Sequence, residues 1–188
     1  MTLAESSPST PASSRHARDY VFTFSYETYA DAHKRGMMRP PDRLASALIN
    51  SPDVRRVLVA DPYRSWVTNW GRSLVDIRHR ARQTDKFRHV SPMRTVRADP
   101  TDVDAVQEVY HGYEAIVRRA AGAAGLERPA FVTASPLVAG FTDLDWADAA
   151  LYYARDDWLS SPARRRYWPA YREAYRRLAQ MSAVVFKD

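Results

Sequence analysis

At 188 residues, with 45% apolar and 27% charged side chains, the chain is long enough for one domain with a real core and short for two. The absence of cysteine excludes disulfide scaffolds, Cys-ligated metal centres and thiol nucleophiles, and accords with a cytoplasmic protein. The longest apolar runs, such as Ala149–Ala154, fall far short of the roughly 18 residues that span a bilayer. The net charge of +6 is carried almost wholly by arginine and is uneven. Between Arg64 and Arg97 nine basic residues stand against Asp76 and Asp85, and between Arg164 and Arg177 six arginines stand against Glu173. Such surfaces favour phosphate groups, anionic lipid headgroups or nucleic acid, although arginine also serves simply as a solvated face.

The opening residues, 1–18, are rich in Ser, Pro, Thr and Ala. They lack an apolar signal core and read as a disordered polar tail. Tyr20–Ser25 is aromatic and β-branched, a buried strand, and a polar loop follows it through Gly36. Pro40-Pro41 opens a short helix with Leu44, Ala47 and Leu48 on one face, ended by Ser51-Pro52. Arg56–Asp61 reads as a second strand stopped by Pro62. Trp66, Trp70, Leu74 and Ile77 have helical spacing within a long, Arg-rich excursion, and a short third strand is expected between Phe87 and Val96 around Pro92.

Asp99-Pro100-Thr101-Asp102 starts a helix whose apolar stripe runs through Val103, Val106, Val109, Tyr113, Ile116, Val117 and Ala120, with Gly125 as terminator. Pro129–Ala134 and Ala149–Ala154 read as the fourth and fifth strands. Ser161-Pro162 opens a last helix that either begins at Pro169 or is kinked there, and Ala183–Lys187 reads as a sixth strand. Continuously apolar strands alternating with amphipathic helices predict an α/β fold. It is a Rossmann-like, doubly wound, mostly parallel sheet of six strands with helices on both faces, spanning 19–188.

Ligands of such sheets sit beyond the carboxyl ends of the strands. That edge selects four segments: 26–43, 61–66, 135–145 and 155–161. There is no glycine-rich dinucleotide fingerprint, P-loop, metal motif or serine elbow, so no cofactor or metal is expected. In the first segment Arg39 and Arg43 frame a helix start suited to a phosphate or diphosphate, or else pair with Glu27, Asp31 or Asp42. His33 is a general base or an exposed loop residue. Asp61 either binds a ligand hydroxyl or caps a turn, with Arg64 beside it. Asp156 and Asp157 follow a buried strand. Either one of them accepts the proton of a sugar hydroxyl or holds that hydroxyl, with Trp158 stacking on the sugar ring, or Asp156 caps a turn and Trp158 belongs to the core.

Taken in order, Arg39–Leu44, Val57-Leu-Val-Ala-Asp-Pro-Tyr-Arg64, Leu151–Trp158 and Met181–Phe186 resemble the N-terminal domain of GT-B-fold glycosyltransferases of the family-4-like, bacterial cell-envelope kind. The resemblance implies two Rossmann-like domains across a cleft, the first holding a glycan or lipid-linked acceptor and the second a nucleotide sugar. It implies catalytic roles for Asp156 and Asp157, where many relatives carry histidine, and substrate contacts for Arg39, Arg43, Asp61, Arg64 and Trp158. It also places the donor half outside these residues, leaving the chain inactive alone, and a cytoplasmic protein at the inner face of the plasma membrane is expected. The competing reading is a non-catalytic basic module that grips anionic lipid or nucleic acid through 64–97, with nucleic acid the less favoured.

Overall fold

A computed structural model describes residues 17–65, 82–96 and 98–180. The Trp66–Ile77 excursion, the residues 1–16 of the polar tail and the expected sixth strand at 183–187 lie outside them. The described chain is α/β. Strands β1 (Arg18–Thr23), β2 (Val54–Ala60), β4 (Phe87–Val90), β6 (Ala130–Thr133) and β7 (Ala149–Tyr152) form one parallel sheet in the order β4-β2-β1-β6-β7. Two-residue strands β3 (Arg64–Ser65) and β5 (Met93–Arg94) pair separately. The single strand expected in 87–96 is therefore two, because Pro92 has no N–H to continue a ladder.

The strands read as unbroken apolar runs because successive side chains enter different cores. Phe22 lies opposite Val59 and Val132. These three pack with Tyr29 and Ala32 of α1 (Tyr29–Lys34) and Ala45 of α2 (Pro40–Asn50). Val21, Leu58 and Phe131, one residue back, pack instead with α3 (Val103–Ala123), α4 (Pro136–Phe141) and α5 (Trp168–Gln180).

Local chemistry places the helix starts. The Asp102 side chain accepts from the Ala105 N–H at 2.9 Å and caps α3, which therefore begins three residues beyond the Pro100 position read from the sequence. Thr28 and Asp31 make a reciprocal capping box at α1, at 3.1 and 3.0 Å, inside the segment expected to be loop. Past α3, Gly125 takes φ +70°, as a helix-terminating glycine should. Pro162–Tyr167 forms a 3-10 turn and α5 begins at Trp168, so Pro169 sits in a first turn that needs no N–H from it. At the amino edge, buried Asp19 takes Arg55 in a two-pronged ion pair and the Glu127 N–H, clamping β1 to β2 and to the turn before β6.

Candidate functional site

The parallel ladder runs level to its carboxyl edge. Phe24 N–H donates to Ala60, Asp61 N–H to Val90, and Ala134 N–H to Thr23, at 2.9–3.1 Å. The loops after β1, β2, β6 and β7 consequently leave the sheet side by side. The chain runs from β1 to β2 on one flank and reaches β6 on the other, so the loops part beside β1 and leave a crevice.

That crevice has two adjoining lobes, of about 400 and 450 Å³, that share Phe24, Ser25, Tyr26, Trp158 and Arg164. Arg164 marks the division. Its guanidinium lies 4.8 Å from the Tyr26 ring centre and 4.5 Å from that of Trp158, and it donates to the Tyr171 hydroxyl at 3.4 Å. Trp158 is 8% exposed and stacks on Tyr171 at 5.3 Å. Its ring is thus already in contact with a cation and an aromatic, and it forms part of the wall between the lobes.

The first lobe gathers Glu27, Arg39, Asp42, Arg155, Asp156 and Asp157 around Arg164. Glu27 binds Arg39 at 2.6 Å and Arg35 at 2.5 Å, and Arg35 reaches buried Asp42 at 3.1 Å. Arg39 is therefore an ion-paired residue of the lobe. Asp157 is partly engaged locally, its carboxylate accepting the Leu159 N–H at 2.9 Å. Asp156 is the freer carboxylate, 56% exposed and 3.8 Å from Arg155 Nε. It is the group best placed to meet a ligand hydroxyl.

The second lobe is aromatic and basic. Arg64 donates to the Tyr26 carbonyl at 2.7 Å and lies 3.5 Å from Asp31. Arg94 binds Asp99 and lies 5.5 Å from the Tyr63 ring centre. Burial pushes the Tyr110 and Tyr171 phenols above their ordinary value, so both remain neutral hydroxyls at physiological pH.

Two residues singled out from the sequence stand apart. Arg43 is exposed on α2 and lines neither lobe. Asp61 is 4% exposed and also lines neither. One of its carboxylate oxygens accepts the Tyr29 N–H at 2.7 Å. The other accepts the Ser91 hydroxyl at 2.5 Å and lies 3.1 Å from His89 Nε2. Its position supports the loop that builds both lobes. Arg94, Arg164, Tyr171, Ser65 and Tyr110 are among the contributors that sequence reading did not single out. Arg164 carried one signal, as the first arginine after Ser161-Pro162 on the segment that returns from the edge.

Among the described residues no three His, Asp or Glu side chains are grouped to hold a metal ion, and no helix is long and apolar enough to cross a membrane. No family model matches the chain, and no curated protein or solved structure matches it either.

Proposed function

We propose that the chain is the acceptor-side domain of a glycosyltransferase, with its sheet doubly wound and completed by a sixth strand at 183–187. In this reading a nucleotide sugar is held by a second domain or partner chain. The crevice holds a glycan or lipid-linked acceptor, at the cytoplasmic face of a membrane. The supporting observation is the first lobe, where Asp156 and Asp157 from the end of β7 share one cavity with Glu27 and Arg39 from beyond β1. Paired carboxylates and guanidinium forks are the groups that hold vicinal hydroxyls. Asp156 would take the proton of the attacking hydroxyl while that oxygen bonds to the sugar's anomeric carbon and the nucleoside diphosphate departs with the old bond's electrons.

Calorimetric titration of the chain with a panel of saccharides and of nucleotide sugars tests this reading. Saccharides should bind weakly and lose affinity in Asp156→Asn and Asp157→Asn, while nucleotide sugars should not bind tightly. Micromolar nucleotide-sugar affinity would overturn the acceptor-side assignment, and silence from every saccharide would overturn the transferase reading.

A second reading, a basic module for anionic lipid, has its own support. Arg165, Arg166 and Arg172 are exposed and have no ion-pair partner among the described residues, and they surround Trp168 and Tyr167. Vesicle binding that weakens as salt screens these charges would favour it.

A further inference from the structure

The two lobes differ in charge. The first is lined by Arg39, Arg155 and Arg164 against four carboxylates. The second is lined by Arg64, Arg94 and Arg164 against Asp99 alone. An anionic group is therefore disfavoured in the first lobe and drawn to the second, where the lining carries a surplus of two positive charges that Asp31, 3.5 Å from Arg64, offsets in part.

Two buried polar atoms mark the second lobe further. Ser65 Oγ and Arg94 Nε have no hydrogen-bond partner among the described residues. Ser65 is 2% exposed, and the Arg94 side chain is 9% exposed. A buried donor without an acceptor is costly, and a native fold that retains two beside one cavity is suited to an acceptor arriving from outside. Three guanidinium groups and a hydroxyl suit the several oxygens of a phosphoryl group, since arginine forks match phosphate geometry. The wall also includes Tyr63 and Tyr110, whose rings offer apolar surface to the carbon skeleton that carries the phosphate.

We propose that the second lobe is a phosphoryl-binding subsite, taking the phosphate monoester of a sugar or polyol whose hydroxyls extend past Arg164 into the first lobe. Identifying that molecule as the glycosyl acceptor rests on the function proposed above; the phosphoryl site itself does not.

Titrations with inorganic phosphate, glucose 6-phosphate and glucose separate these claims, with vesicles containing phosphatidic acid as a lipid-borne source of the same phosphate monoester. Glucose 6-phosphate should bind saturably and more tightly than glucose. Its affinity should fall about tenfold or more in Arg94→Gln and about fivefold in Ser65→Ala, as loss of charged and neutral hydrogen bonds implies. Ser65→Ala removes an unpartnered hydroxyl, so its thermal midpoint should hold or rise while binding weakens. This also guards against a folding defect in Arg94→Gln, which breaks the pair with Asp99. Binding confined to vesicles, and weakened by the same two substitutions, would support the subsite with a lipid headgroup as the source. Absence of binding to all phosphate probes, or binding indifferent to both substitutions, would overturn the subsite. Phosphate binding without any saccharide binding would leave the subsite standing and remove only the acceptor reading.

Discussion

Replacing Asp61 tests whether this carboxylate builds the crevice or serves in it. Its side chain satisfies the buried Tyr29 N–H and the Ser91 hydroxyl, and its backbone carbonyl accepts the Tyr113 hydroxyl at 3.1 Å. Asp61→Ala leaves the carbonyl contact in place and strips the acceptor from two donors. At about 1–3 kcal/mol for each donor left unsatisfied, the fold should lose about 2–6 kcal/mol. Asp61→Asn keeps an oxygen for Tyr29, and the Ser91 hydroxyl can turn to accept from the new amide. Only the charge assistance is lost, about 1 kcal/mol. Urea denaturation of the three proteins, with equal slopes as the check on two-state comparison, measures the ranking. Ligand affinity should weaken in step with stability, because Phe24–Glu27, which Asp61 anchors through Tyr29, walls the crevice. Asp61→Ala within about 0.5 kcal/mol of the parent, or Asp61→Asn as damaging as Asp61→Ala, would refute the reasoning, since the size and order of the losses follow from donor satisfaction.

Gly140→Ala should cost about 1–3 kcal/mol or more by the overpacking rule. A Cβ there would sit 2.6 Å from Ala174 Cα and 2.9 Å from its carbonyl oxygen, forcing α4 from α5, and an unchanged urea midpoint would deny that close approach. Glu173 supplies an acid-side prediction. Hydrogen bonds from Arg176 and then Arg177 lower its carboxyl from about 4.5 to about 2. A depressed carboxylate contributes stability that is present above pH 4.5 and lost as pH falls toward 2. Thermal midpoints of Glu173→Gln should fall less steeply than the parent's over that range, and parallel curves would count against the pairing.

Much of the scaffold was legible because its signals are local. The stripe from Val103 to Ala120 marked α3, and the apolar runs marked β1, β2, β6 and β7 within two residues at their starts. Two helices were not legible. α1 buries only Tyr29 and Ala32, too few for a period, although Thr28 and Asp31 spelled its capping box. Every residue of α4, Pro136–Phe141, is buried, so no polar face existed to reveal a helical repeat. For the site, the sequence carried the residue types and the general rule of the carboxyl edge. That was enough to single out Arg39, Asp156 and Asp157, which meet in one lobe. Only the tertiary structure decided that Asp61 turns inward, that Arg43 stays outside, and that Arg94, Arg164 and Tyr171 meet in the second lobe from segments 70 positions apart. Capping and amphipathicity are energies between neighbours in the chain and are written there. Which carboxylate finds a buried donor, and which arginine finds a cavity, depends on strand order and register, energies shared across the whole sheet.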